Sequence, residues 1–139
     1  MFVVKIISFM KISIIGNNLT GLILSKALVN KNINVKLFYN PKKNTKKTNR
    51  TIGIAKKNMD FIQSKLLKVP KFFFNTINEI GIFTENSNKS EILNFNNEHE
   101  LFYLVKYDSF LNLINKSLKK SRNFKFHKIK SYNSFKKMF

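Results

Sequence analysis

The stretch that decides the fold is KISIIGNNLTGLILSKALVNKNINVKLFY, Lys11 to Tyr39. Lys11 to Ile15 is a short apolar run with β-branched residues that ends at Gly16, the pattern of a buried strand. Apolar residues then fall at Leu19, Leu22, Ile23, Ala27 and Leu28, with Leu24 and Val29 beside them. That spacing predicts a helix over 19–30, apolar enough to be largely covered. Asn30-Lys31-Asn32 ends it, because asparagine can take the left-handed cap usually given to glycine. Ile33 to Tyr39 reads as a second strand. Strand, tight turn, helix and strand in this order close into a parallel pair, since such crossovers are right-handed.

The turn carries the chemistry. A glycine turn between a strand and a helix aims backbone N–H groups and the helix dipole at one point, and such a point binds phosphate. The dinucleotide-binding pattern is G-x-G-x-x-G: one glycine makes the turn, one lets a pyrophosphate approach, one lets helix and strand pack closely. Gly16 and Gly21 occupy the first and third positions, and Asn18 stands at the second. Asparagine tolerates unusual backbone angles better than most residues, yet it brings a side chain to a place of close approach. The acid expected at the end of the second strand is replaced by Tyr39, followed by Asn40. On spacing alone, a cofactor site and a tight turn that binds nothing both remain open.

Further along, Asn40 to Asn49 is a polar, lysine-rich loop and Arg50 to Ala55 reads as extended. Lys56 to Leu67 reads as a helix stopped before Pro70. INEIGIFTE and SEILNFN flank the turn residues Asn86 to Lys89, hence a hairpin. ELFYLVKY is a further strand. Asp108 to Lys120 is an amphipathic helix, with Asp108 or Ser109 as its cap and lysines in its last turn, where the dipole favours them. FKFHKIKSY alternates apolar and polar, a last strand with one face buried. Neither an internal repeat nor a second domain stands out.

With 139 residues the chain is long enough for one domain with a modest core. Its 26 lysines and arginines against 7 acids give a charge of +19. That balance suits nucleic acid, an anionic membrane surface or an acidic partner. However, only Arg50 and Arg122 are arginines, and arginine is what bidentate phosphate and base recognition favours. Lysines spread along the chain fit a default polar filler better than a nucleic-acid footprint, which clusters on one face. The chain has no cysteine, which excludes disulfides, thiolate catalysis and sulfur-ligated zinc. His99 and His127 are not ligand-spaced, so no metal site is expected. No segment reaches the ~18–20 apolar residues that span a bilayer. Residues 1–9 read as an extension ahead of the fold, with Met10 an alternative start. The expected location is the cytoplasm, with contact at the inner membrane face left open.

RTIGIAKKNMDFIQS (Arg50 to Ser64) resembles the stretch after the second strand in the aromatic-ring flavoprotein monooxygenases, above all the flavin hydroxylases of ubiquinone biosynthesis. INEIGIFTENSNKSEILNF resembles that family's hairpin, and LFYLVKYDSFLNLINKSL its next strand and helix. The succession runs from Lys11 to about Tyr132. The resemblance implies an α/β fold: a Rossmann-like FAD-binding βαβ unit with an added hairpin and strand region, incomplete relative to the family's full fold. It implies FAD as cofactor, a reduced donor, O₂ and an aromatic, quinone-precursor-like substrate. By position, Gly16, Asn17, Asn18, Leu19, Thr20 and Gly21 would line the FAD pyrophosphate. Tyr39 and Asn40 would lie near the adenosine ribose, and Arg50 would approach the flavin side. Arg50 also reads as an exposed loop cation. Where the family often has a further arginine, this chain has Asp108.

The resemblance covers roughly the first third of such an enzyme and lacks the later cofactor-binding segment. Flavin hydroxylation needs an enclosed, dry site, which a nucleotide-binding portion does not build alone. The seven carboxylates are scattered, and most read as solvated surface groups. Lys71 to Phe74, KFFF, reads as core, as a surface to be covered, or as a membrane-contacting patch. The alternative to a flavoenzyme portion is a non-catalytic basic domain binding nucleic acid or anionic lipid, or a Rossmann-like domain that has lost its cofactor. Oligomeric state is not legible.

Overall fold

A computed structural model describes residues 10–41, 49–85, 90–96 and 98–130. The expected extension at 1–9, most of the lysine-rich loop, the hairpin turn at 86–89 and the end of the last strand region lie outside the described residues. The chain divides into two compact units, one of residues 1–47 and 111–139, the other of residues 48–110.

In the first unit, β1 (Lys11–Ile15), α1 (Leu19–Asn30) and β2 (Asn34–Tyr39) form the expected βαβ unit. β1 and β2 are parallel, in a register that sets Lys11 against Asn34 and Ile15 against Phe38. β8 (Phe124–Lys128) adds a third parallel strand on the far side of β2, so the order is β1-β2-β8. Alternation decides the faces. Ile14, Val35, Leu37 and Phe124 point to one face and are buried. α1 covers β1 and β2 with Leu22, Ser25 and Val29. Ser25 is buried without cost to its hydroxyl, which donates to the Gly21 carbonyl at 2.7 Å.

The end of α1 follows from the sequence. Asn32 has φ +60°, the left-handed conformation that asparagine tolerates. The Ile33 N–H reaches back to the Leu28 carbonyl at 3.1 Å and the Asn32 N–H to that of Val29 at 3.0 Å. This pair of bonds is the Schellman stop. α1 is less covered than its composition predicts: Leu24 is exposed, and Ile23, Ala27 and Leu28 are half-buried. Its apolar residues run all round, while the sheet takes one side.

The second unit is antiparallel. β3 (Thr51–Ala55) and β4 (Phe74–Ile77) flank β7 (Phe102–Lys106). Between β3 and β4, α2 (Lys56–Phe61) continues as a π-helical segment, Ile62–Leu66, burying Met59, Ile62 and Leu66. β4 is not legible in the sequence, because FNTI is too short to show alternation and begins on the last phenylalanine of the KFFF run. Lys71–Phe73 is a 3₁₀ turn in which Phe72 is 85% exposed, so this aromatic is not core within the unit. β5 (Glu79–Phe83) and β6 (Glu91–Asn96) form the expected hairpin, with an irregularity between Ile82 and Phe83. α3 (Tyr107–Lys119) follows β7 and runs from the second unit into the first. It begins one residue earlier than expected, so Asp108 and Ser109 lie inside its first turn rather than capping it.

Candidate functional site

In α/β sheets ligands bind beyond the carboxyl ends of the strands. Here that end carries the Gly16 turn. Gly16 has φ +103°, a region that L side chains rarely enter. Its N–H donates to the Phe38 carbonyl at 2.8 Å, which ties the turn to β2. A Cβ placed on Gly16 would meet nothing within 4 Å. Glycine is therefore required by backbone conformation, and the space beside it is open to a ligand. Gly21 has the opposite reason. A Cβ there would run into the Gly16 carbonyl oxygen and stand 3.3 Å from Asn18 Oδ1. Helix and turn meet too closely for any side chain, the role expected of the third glycine.

Asn18 resolves the question its position raises. Its backbone is extended (φ −72°, ψ 173°), so no glycine is needed for conformation. It is the N-cap of α1: Oδ1 accepts from the Gly21 N–H at 2.9 Å, and its carbonyl accepts from the Leu22 N–H at 3.0 Å. The side chain folds back along the helix instead of crowding the turn. The cap has a consequence for binding. The first helical amides have no partner within the helix, and Asn18 occupies that of Gly21. The amides of Leu19 and Thr20, with the positive end of the helix dipole, are what α1 presents to an anion.

At the end of β2, Tyr39 meets Phe126 edge-on, with centroids 5.7 Å apart. Its carbonyl accepts from the Ile129 N–H at 2.9 Å. Asn40 Nδ2 donates to the Lys130 carbonyl at 3.0 Å, so this amide clips the end of β2 to the chain leaving β8. The position that carries an acid in the dinucleotide pattern is thus a strand-end fastening. Gly16 to Gly21, Tyr39 and Asn40 all belong to the first unit, whereas Arg50 belongs to the second. Arg50 is exposed, but its guanidinium lies 4.2 Å from the centroid of the Tyr107 ring, and its carbonyl accepts from the Tyr107 N–H at 2.9 Å. It is anchored over an aromatic face rather than loose in a loop.

His127 was missed as a feature of this end of the sheet. It lies beside Phe38 in the β2–β8 register and stacks on that ring at 5.1 Å and 25°. Its Nε2 is buried without a hydrogen-bond partner among the described residues. The alternation of FKFHKIK places it on the face opposite Phe124 and Phe126, a signal independent of the ligand spacing that His99 and His127 lack. In the second unit, Asp60 and Glu100 are not scattered: both approach Lys56 Nζ, at 3.2 and 3.9 Å. The Asp60 hydrogen bond above all holds the Lys56 pKa above its ordinary value. Burial, and then Glu100, push the Tyr103 phenol up. Lys56, Asp60 and Glu100 form a solvent-facing ion-pair cluster, worth little to stability, beside the buried Tyr103.

No protein-family model matches the chain, and no curated protein matches it by sequence. By structure it is similar to p-nitrophenol 4-monooxygenase PnpA from Pseudomonas putida DLL-E4, with a TM-score of 0.65 and 13% identity. The likeness covers 86% of this chain and 32% of that one, so the chain spans about a third of the enzyme's length. At that identity the likeness speaks for the fold. The chain has a monooxygenase-like α/β fold with a parallel sheet. Among the described residues, no helix is long and apolar enough to cross a membrane.

Proposed function

We propose that the chain is the FAD-binding, N-terminal portion of a flavin-dependent monooxygenase that hydroxylates an aromatic ring, of the quinone-precursor kind found in ubiquinone biosynthesis. The observation that carries the proposal is the Gly16 turn. It is a left-handed glycine with open space beside it, closed against Gly21, at the carboxyl end of a parallel sheet and the start of α1. The fold likeness and the order of the later segments support it.

The residues fit a diphosphate. Leu19 and Thr20 offer amides and helix dipole, Gly16 lets the phosphates come close, and Asn18 holds the helix start rigid by its cap. Tyr39 and Asn40 would lie near the adenosine ribose, without the usual carboxylate. Arg50 is the residue assigned to the flavin side. FAD, when bound and reduced by an electron donor, would pass electrons to O₂, which supplies the hydroxylating oxygen; this chain's own task is to hold and orient its nucleotide half.

The test is calorimetric titration of the full chain with FAD and with ADP at low salt. Binding of both, lost on Gly16→Val, supports the reading. Absence of binding to either, by a folded protein, refutes it and leaves a Rossmann-like domain without cofactor.

A further inference from the structure

The opposite end of the same sheet holds a second, differently built feature. A cavity of about 340 Å³ is lined by Lys11, Asn34, Val35, Lys36, Arg122, Asn123 and Lys125. It contains four cations, two side-chain amides and no carboxylate. Its volume is within the range of small-molecule sites.

The register explains how the charges come together. Lys36 and Lys125 are direct neighbours across the β2–β8 pair, and Lys11 begins β1 opposite Asn34, the first residue of β2. Alternation puts Lys11, Ser13, Asn34, Lys36 and Lys125 on the sheet face away from Ile14, Val35 and Leu37. Like charges side by side in a sheet repel. Both faces of a parallel sheet are ordinarily apolar and covered. This face departs from that rule at the amino ends of its strands. Arg122 and Asn123 add to it from the tight turn ahead of β8. That turn is fixed: the Val35 N–H donates to the Asn123 carbonyl at 2.8 Å, and the Ser121 N–H to the Leu118 carbonyl at 2.9 Å. The backbone beneath the lining is therefore fixed by strand starts and a pinned turn, while the Lys11, Lys36, Arg122 and Lys125 side chains it carries are exposed. The pocket also separates these lysines from the rest, which the sequence reads as dispersed filler.

We infer that this pocket binds a small anion bearing a phosphoryl or diphosphoryl group. Four cations over-match a single carboxylate, and a ligand of two or more negative charges balances them. Arginine pairs two phosphate oxygens at once, lysines act as point charges, and the asparagine amides donate to remaining oxygens. The site is distinct from the Gly16 turn: β1 alone separates the two ends by roughly 13 Å of strand. It does not depend on FAD binding.

The experiment is titration of ¹⁵N-labelled full chain with inorganic pyrophosphate. The expected result is saturable amide shifts at Asn34, Lys36, Asn123 and Lys125, separable by residue from shifts at Leu19 and Thr20. Replacing Lys36→Gln together with Lys125→Gln should weaken binding at this end by at least about tenfold, each lost charge-assisted contact being of that order. The same charge change at exposed Lys57 and Lys68, in the second unit, should leave it unaltered. Thermal unfolding of both variants establishes that they are folded. Shifts confined to the Gly16 turn, or equal weakening by both variants, would overturn the inference, the second showing general charge attraction. Phosphatidylcholine vesicles containing phosphatidate supply a further arm. Displacement of pyrophosphate by them would identify the phosphoryl group as a lipid head group; no displacement would identify it as a soluble one.

Discussion

The two ends of the β1-β2-β8 sheet present positive charge by different means. At the carboxyl end it is made by backbone: amides of Leu19 and Thr20 and the dipole of α1, with open space beside Gly16 and close packing of helix on turn at Gly21. At the amino end it is made by side chains: Lys11, Lys36, Lys125 and Arg122. The first kind is directional, preorganised and insensitive to which polar residues decorate the surface. The second is long-ranged, sensitive to salt, and removable one charge at a time. One small sheet thus sets an anion site proposed from backbone geometry beside one proposed from side-chain charge.

The largest expected effect separates them outright. Gly16→Val should reduce FAD and ADP affinity by about a hundredfold or more, through a residue that cannot hold φ +103° without strain and a side chain in the phosphate space. Pyrophosphate shifts at Lys36 and Lys125 should persist in that variant, provided circular dichroism shows it folded. Next, raising salt should weaken the amino-end site steeply and the turn only modestly, measured by parallel titrations at two ionic strengths. Equal salt slopes would break the comparison.

Smaller effects sharpen the account of the turn. Gly21→Ala should cost about 2 kcal/mol of unfolding free energy, because its Cβ meets backbone that cannot move aside cheaply. Asn18→Ala should cost about 1 kcal/mol by loss of the cap. It also frees the Gly21 amide, so ADP affinity should be kept or slightly raised; a large loss of affinity would mean that Asn18 contacts the ligand. Denaturant titration with ADP calorimetry checks both. The smallest effect lies in the second unit. The raised Tyr103 pKa means that the unfolded chain ionises first as pH climbs past the ordinary value of 10.0, so stability falls there. Tyr103→Phe should flatten that alkaline decline, read from urea unfolding at pH 9 to 11.

What was legible in the sequence followed from strong local rules. Ile12 to Ile15, the apolar spacing from Leu19 and the Asn32 stop each admit few alternatives, and β1, α1 and β2 form within one residue of expectation. The parallel pairing followed from handedness. What was not legible depended on contacts between distant residues. Whether Asn18 obstructs or caps is decided by a side-chain torsion, and the glycine spacing on either side masks the capping pattern. Lys36 and Lys125 are 89 positions apart and become neighbours only when β8 pairs with β2. Their charge therefore looked dispersed along the chain while being gathered in the fold. β4 and the exposure of Phe72 were likewise set by the partner strand, not by local pattern.

If the first crossover turn grips a diphosphate, the Leu19 and Thr20 amide resonances of the full chain shift saturably as ADP is added, and they do not shift in Gly16→Val. Unmoved resonances at saturating ADP, in a folded protein, would contradict that grip.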